Sequence, residues 1–519
     1  MQITKDKILS LCQFNVAYDF LALLSGALLT LSFAPFNFYW LAIVCPALLL
    51  CSITDGGLKR SALRGGLFGL GFFGTGASWV FVSIHVYGPS PIPLALVLTT
   101  LFVIVLATYY ALLTLVFKKI FRVASLSSYL LAFPALWVIF EALRGYLFTG
   151  FPWLLLGYSQ TDSPFTFLLP LIGTYGASFI LVLMAGSIAF AMQKRKDFYM
   201  FLLPAILLSF FLSIGLFVNS FQWTSEKNDP LEVSLIQGNI PQSHKWDPEF
   251  IHQIMTRYQD LTNQEWHSDI IVWPEAAVPI PLPYANNWLL KLAKQAREHD
   301  AILIVGALSE DDNKNYHNGM LALGQSNDFY EKRKLVPFGE FVPFESLLRG
   351  LINFFDLPMS HMEAGDSNVS NILHTDFLEV LPLICYEVAY VNLLDEAKDS
   401  DIVVTISNDA WFGRSIGPSQ HLQIAQVRAL ETGRYVLRAT NSGITAIIAP
   451  NGKVIAQLPQ FVVSVLHGKV VAMTGATPFL KIGYWKILFL ITLALVVSLL
   501  LAFPYKRKKT DESLVIVVE

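Results

Sequence analysis

Apolar residues in this chain follow two regimes. From about Ala17 to Asn219, and again near Ile482 to Phe503, they form long, nearly uncharged runs, whereas between these blocks they come in short bursts separated by polar stretches. A helix needs about 20 apolar residues to cross a bilayer. Runs of that kind fall near 18–34, 38–53, 66–86, 92–117, 125–146, 165–193 and 199–219, and the C-terminal run adds one more. The pattern predicts a polytopic α-helical membrane bundle of about eight spans, the second of them short.

The middle of the chain reads differently. Strand-type bursts occur at Val233–Gln237, Ile270–Trp273, Ile302–Val305, Gly319–Leu323, Leu378–Ile384, Ile402–Ile406 and Thr445–Ile448. Amphipathic helical stretches near Glu249–Leu261, Asn287–Glu298 and Ser419–Thr432 lie between several of them. Wholly apolar strands alternating with helices predict an α/β domain whose sheet is covered by helices. The predicted organisation is a bundle over 1–222, a soluble domain over 223–476, and a last span with a basic tail over 477–519.

Charge sets the expected orientation. Lys and Arg collect at Lys5/Lys7, Lys59/Arg60/Arg64, Lys118/Lys119/Arg122, Lys194/Arg195/Lys196 and Lys506–Lys509, while the loops near Pro35–Asn37, Gly88–Pro91 and Thr149–Pro164 have none. Basic loops stay on the cytoplasmic side. Both termini are therefore expected inside and the soluble domain outside, which in a bacterium is the periplasmic face of the inner membrane. No cleavage site follows the first apolar run, so it reads as an anchor and not a signal peptide. Composition agrees: 54% of residues are hydrophobic and 14% charged, against about a quarter charged in soluble proteins. No basic, aromatic-interleaved surface points to nucleic acid, no Gly-rich phosphate loop follows a strand, and the histidines of the middle segment lack metal-ligand spacing. No cofactor or metal is expected.

Of four cysteines, only Cys385 belongs to the outer segment. It ends the apolar run Leu378–Ile384, where a chain leaving a sheet exposes a side chain on a rigid support. Glu275 follows the run Ile270–Trp273 and Pro274, Lys332 follows Phe329–Tyr330–Glu331, and Glu340 closes Leu335–Val336–Pro337–Phe338–Gly339. Singly these are ordinary charged residues, most of which are solvated. Together they supply a thiol, a carboxylate whose pKa burial would raise so that it can serve as base, and an ammonium able to favour the thiolate and stabilise an oxyanion.

The words Trp273–Pro274–Glu275, Tyr330–Glu331–Lys332–Arg333–Lys334–Leu335 and Ile384–Cys385–Tyr386–Glu387 resemble the Glu–Lys–Cys motifs of the nitrilase superfamily. Leu335–Pro343, Ser407–Gly413, Ser32–Phe36 and the Gly-rich run to Trp79 resemble the bacterial apolipoprotein N-acyltransferase family within it. The resemblance implies an α-β-β-α sandwich for the soluble domain and acyl transfer through a covalent thioester. It implies Cys385 as nucleophile, Glu275 as general base, Lys332 as oxyanion stabiliser, and Glu340, Tyr386 and Glu387 as supporting residues. It also implies a membrane phospholipid, usually phosphatidylethanolamine, as acyl donor, and the α-amine of S-diacylglyceryl apolipoproteins as acceptor. A monomer is the expectation.

Other residues invite a lipid-binding role. Trp246 could line a lipid cleft. Glu141 and Arg144, a turn apart in the fifth run, read first as a buried ion pair, with Arg144 alternatively a phosphate contact; His85 reads as an interface residue near an outer span end. Rival functions are a membrane-tethered nitrilase-type amidase, a transporter with an outer domain, which would show paired repeats, and a Cys–His enzyme using His421. The stretch 344–359 holds Leu347, Leu348, Leu351, Ile352, Phe354, Phe355 and Leu357, unusually apolar for a loop, and is expected to be a lid or membrane-dipping arm that admits acyl chains. Replacing Phe354 and Phe355 with serine should slow turnover; unchanged turnover in a folded variant would count against that role.

Overall fold

The computed structural model describes residues 2–514 apart from Asp55, Pro89, 122–124, 195–196 and 344–360, with side chains from 15 to 502 except that of Phe198. The stretch 344–359, with Phe354 and Phe355, lies outside the described residues. The chain divides into two compact units. One comprises the chain up to Ser78, Pro93–Phe221 and the chain from Tyr484; the other comprises Trp79–Ile92 and Gln222–Gly483.

The first unit is helical. Helices occupy all eight predicted runs, but six of the described helices are long and apolar enough to cross a membrane, and seven if Leu58–Gly76 and Trp79–Tyr87 count as one broken span. The second run forms Leu41–Thr54, 14 residues, a rise of about 21 Å at 1.5 Å per residue, short of the ~30 Å hydrocarbon core. The third run is interrupted after Gly76, and its Trp79–Tyr87 part belongs to the second unit. The glycines of Leu58–Gly76 are packing devices. A Cβ on Gly65 would come within 2.3 Å of the Tyr110 carbonyl oxygen, and one on Gly69 within 2.6 Å of the Ala107 Cα. This small-xxx-small spacing lets the helix Ile92–Ile120 approach backbone to backbone, the principal source of helix association in lipid.

The Glu141–Arg144 pair expected inside this unit is not formed among the described residues. Glu141 Oε1 accepts from Trp137 Nε1 (3.0 Å) and the Leu156 amide (2.9 Å). Arg144 donates to the carbonyls of Phe151 (2.6 Å) and Trp153 (2.5 Å) and lies over the Phe73 ring. Both side chains are buried. The helix ends next to an irregular segment whose backbone groups need partners, and these bond the two charged groups separately while Glu141 Oε2 and Arg144 Nη2 find no hydrogen-bond partner among the described residues.

The second unit is a sandwich. Its strands are β1 (Thr224–Glu226), β2 (Leu231–Gln237), β3 (Ile270–Val272), β4 (Ile302–Glu310), β5 (Tyr316–Leu323), β6 (Asn327–Glu331), β7 (Leu373–His374), β8 (Glu379–Ile384), β9 (Ile402–Ser407), β10 (Val436–Thr440), β11 (Ala446–Ile448), β12 (Val454–Gln457), β13 (Ser464–Val470) and β14 (Met473–Gly475). Two six-stranded sheets form, ordered β13-β2-β3-β4-β5-β6 and β12-β11-β10-β9-β8-β7, with β1 and β14 a separate pair. In the first sheet β2, β3 and β4 are mutually parallel, and in the second β8, β9 and β10.

Strand alternation builds the layers. Ile270 and Val272 join Val380, Ile402, Val404 and Leu437 in the core between the sheets, whereas Ile271 and Trp273 point the other way. There they meet Ile254 and Tyr258 of the helix Ile251–Thr262 and Leu289, Leu292 and Ala296 of the helix Leu282–Glu298. The third amphipathic stretch forms the helix Gly417–Thr432 beside β10 and β11. The chain therefore has an α-β-β-α sandwich alongside an apolar helical region. Residues of the parallel strands are buried on both faces, which is why they read as continuous apolar runs.

Candidate active site

The parallel strands deliver charged residues at their C-terminal ends. After β3, Trp273 is fully buried, stacked on Tyr258 (5.0 Å) with its Nε1 donating to Thr262 Oγ1 (2.8 Å). Its amide makes one further bond to the Ile304 carbonyl (2.8 Å), and Pro274, having no N–H, ends the ladder. Glu275 is thus turned out of the sheet, and Ala276 behind it has φ 46°. Gly306 on β4 makes room for this turn, since a Cβ there would lie 2.3 Å from the Pro274 carbonyl oxygen.

Lys332 follows β6 and is fully buried. Its Nζ donates to Glu275 Oε1 (3.1 Å) and Glu340 Oε1 (2.8 Å). Asn318 on β5 donates from Nδ2 to the same two oxygens (2.8 and 3.0 Å). Glu275 Oε2 accepts from the Asn408 amide just beyond β9 (2.8 Å). Glu340 was expected near a strand end; it instead closes a turn in which the Val336 amide donates to its Oε2 (2.8 Å) and Phe338 has φ 62°. Pro337 has no N–H to donate and makes only an isolated bridge with Phe341, so this segment turns instead of extending a strand.

Cys385 follows β8, half-buried, with φ 53°. A left-handed backbone costs a non-glycine residue on the order of 1–3 kcal/mol and persists only where surroundings impose it. Ser407 Oγ lies 3.5 Å from its Sγ. The thiol senses the charges of both Glu275 and Lys332. Glu387, fully buried, ties the ends of β6 and β8 together: its Oε1 accepts from Tyr330 Oη (2.9 Å) and the Arg333 and Lys334 amides (2.7 and 3.1 Å), and its Oε2 from the Ile384 amide (2.8 Å). Tyr386 is buried edge-on to Tyr390 (5.2 Å).

Electrostatics differ from the sequence expectation. Burial pushes the Glu275 carboxyl upward, but the Lys332 and then the Lys245 charges outweigh it, and the group lies below the ordinary carboxylate value. Burial followed by the Glu275 charge pushes the Cys385 thiol up, and Lys332 only partly opposes them. Burial depresses Lys332, but Glu275 and Glu340 more than reverse this and hold its ammonium above the usual range. The resting arrangement is a thiol beside an ionised carboxylate and a captive ammonium, not a preformed thiolate beside a raised carboxyl.

Residues 25–187 match the family model "Apolipoprotein N-acyltransferase N-terminal domain", and residues 232–479 match "Carbon-nitrogen hydrolase". The protein named "Apolipoprotein N-acyltransferase" of Pseudomonas syringae pv. tomato is 42% identical over 90% of this chain and 94% of its own length. Its namesake in Coxiella burnetii is 41% identical over 92% of this chain and 99% of its own. The chain belongs to the apolipoprotein N-acyltransferase family. It is a membrane acyltransferase carrying a carbon-nitrogen hydrolase domain. Among solved structures, Saccharomyces cerevisiae Nit3 of the nitrilase superfamily aligns at 14% identity over 48% of this chain and 92% of that one, with a TM-score of 0.36.

The structure brings Glu275, Lys332, Glu340 and Glu387 of this acyltransferase together around Cys385. Arg144 lies in the other unit. Trp246 reaches the site's edge through its neighbour Lys245, whose Nζ sits 5.8 Å from the indole centroid. His85 Nδ1 lies 2.7 Å from the Ser90 carbonyl oxygen. Sequence reasoning passed over Lys245, Asn318 and Asn408. Lys245 is 3% exposed and donates to the Glu275 carbonyl oxygen (2.8 Å); only its place beside Trp246 in an otherwise polar stretch hinted at this. Away from the site, Asp311, His317 and Glu363 place potential ligand atoms within 4.8 Å of one another, but both Asp311 oxygens already accept from Asn313 and Asn315.

Burial lowers Lys245 from 10.5 to about 8, with Glu275 opposing. The folded state therefore holds this proton less tightly than the unfolded chain. The associated stability is fully present above 10.5 and lost as pH falls through about 8. The thermal midpoint of the parental protein relative to Lys245→Met should accordingly rise as pH climbs from about 8 toward 10.5. A difference that stays flat across that window would refute the burial of a titrating lysine here.

Proposed function

We propose that Cys385 carries the acyl group as a thioester between a membrane phospholipid, such as phosphatidylethanolamine, and the α-amine of an S-diacylglyceryl apolipoprotein. The observation that carries this reading is the convergence of the Lys332 ammonium and the Asn318 amide on the carboxylates of Glu275 and Glu340, with the half-buried Cys385 thiol in the field of Glu275 and Lys332. Glu275 takes the thiol proton as sulfur attacks the ester carbonyl. A C–S bond forms, and the charge that develops on oxygen is met by Lys332. The oxyanion collapses, the C–O bond breaks, and the lysophospholipid leaves with the proton from Glu275. The neutral α-amine then attacks the thioester, Glu275 takes its proton, the C–N bond forms, and the C–S bond breaks to return the thiol.

The depressed Glu275 and elevated Cys385 pKa values fit this order of events. The thiol ionises only when a carbonyl is present to receive the charge, which keeps the nucleophile quiescent between substrates. Glu340 holds Lys332 in place, and Glu387 with Tyr386 fixes the strand end that carries the nucleophile. The helical region, assigned to 1–222 and 477–519, gathers the two lipid substrates. The soluble domain faces the periplasm, and both termini face the cytoplasm.

Proteoliposomes containing a phospholipid and a diacylglyceryl peptide test the reading. Acyl transfer to the peptide α-amine with matching lysophospholipid is expected, together with a loss on the order of 10²- to 10⁴-fold in Glu275→Gln and about 10²- to 10³-fold in Lys332→Met. Release of free fatty acid in place of transfer would instead support the amidase-type hydrolase.

A further inference from the structure

The left-handed backbone of Cys385 needs something to impose it, and the sandwich supplies a buried polar assembly directly behind it. His421, in the helix Gly417–Thr432, lies with Nε2 3.0 Å from the Cys385 carbonyl oxygen. Its Nδ1 lies 2.9 Å from Asp409 Oδ1 and 3.1 Å from Arg438 Nη2. Arg438 Nη2 also donates to Asp409 Oδ2 (2.7 Å), and Ser407 Oγ donates to Asp409 Oδ1 (2.5 Å). All four side chains are at most 2% exposed. Phe412 packs edge-on to the imidazole (5.9 Å) and against Trp79 (4.7 Å), whose Nε1 donates to Gln420 Oε1 (3.2 Å).

The hydrogen-bond chemistry fixes what the ring does. A carbonyl only accepts, so Nε2 must carry a proton. Burial, followed by the Arg438 charge, pushes His421 below its ordinary value despite Asp409. Arg438 thus lies with Nη2 against both the imidazole and the Asp409 carboxylate. Its Nε and Nη1 find no partner among the described residues. A buried guanidinium with unsatisfied donors is destabilising, a cost that an apolar residue at this core position would avoid. This cost is expected where a site requires the charge.

We propose that His421, set by Asp409 and Arg438, is a positioning residue that donates its Nε2 proton to the Cys385 carbonyl and thereby holds the nucleophile in its left-handed conformation. This rests on the reading of Cys385 as nucleophile. His421 is not the base of a Cys–His enzyme, because the nitrogen facing Cys385 is committed to its carbonyl. A misplacement of the nucleophile by about 1 Å costs on the order of 10²-fold in rate, so the assembly bears on turnover and not on lipid binding.

Full-length enzyme bearing His421→Leu, His421→Gln or Cys385→Ala tests the proposal, with kcat, KM for phospholipid and thermal midpoint as readouts. His421→Leu should lose on the order of 10- to 100-fold in kcat with KM unchanged. His421→Gln, whose amide can also donate, should restore kcat to within about threefold of the parental enzyme. Parental kcat in His421→Leu would overturn the proposal. So would a folded His421→Gln as slow as His421→Leu, since that would show the imidazole itself transfers a proton. If the leucine variant fails to fold, the glutamine variant alone decides on the same threshold. An active Cys385→Ala would sink the nucleophile reading itself, whereas an inactive Cys385→Ala beside a fully active His421→Leu sinks this inference alone.

Discussion

A fully buried ammonium has to be paired, and Lys332 is paired with two carboxylates, Glu275 from 57 positions earlier in the chain and Glu340 from 8 positions later. An isolated charge at that depth would be unfavourable by several kcal/mol; Glu275 and Glu340, each within about 3 Å of Nζ, offset this and keep the ammonium protonated more firmly than in water. The pairing constrains everything around it. Glu275 arrives from β3, Lys332 from β6, Glu340 from a turn beyond it, and Asn318 from β5 between them. A shift of one residue in the β5–β6 register would move Asn318 and Lys332 to opposite faces. Lys245 and the Asn408 amide complete the neutralisation of Glu275, so the cluster also draws the β9 end and the polar stretch before the helix Ile251–Thr262 onto the same centre.

The same economy of position governs Cys385. Glu387 accepts four hydrogen bonds, from both sides of the cleft between β6 and β8, and so couples the ammonium's strand to the thiol's strand. Positive φ values at Ala276, Phe338 and Cys385 mark the three places where the chain is bent to present Glu275, Glu340 and the sulfur. Strain of this kind accumulates at functional sites because the surrounding packing can hold it, and here the sandwich core between the sheets is the support.

Much of this placement was legible in the sequence, for a physical reason. Parallel strands covered on both faces are continuous apolar runs, so the first charged or nucleophilic residue after each run marks a strand end; Glu275 and Cys385 could be located in that way. Other elements were hidden by the same logic. β10 contains Arg438, a buried charge that breaks the apolar run, and β13 alternates too weakly to stand out. Lys245 and Asn318 look like surface residues until tertiary structure supplies their partners. The base was expected to have a raised pKa from burial alone; the Lys332 charge, with that of Lys245 behind it, reverses the direction. Among the spans, hydropathy located the helices and marked the second, Leu41–Thr54, as short, but it did not show the interruption after Gly76.

The central claim is that the cluster exists to let Cys385 hold an acyl group. Intact-protein mass spectrometry of enzyme incubated with phospholipid alone addresses it most directly. A fatty-acyl mass localised to Cys385 is expected, disappearing when a diacylglyceryl peptide is added and reappearing as the acylated peptide. Full transfer activity without any acyl adduct on Cys385, at time points before the acceptor is added, would contradict it.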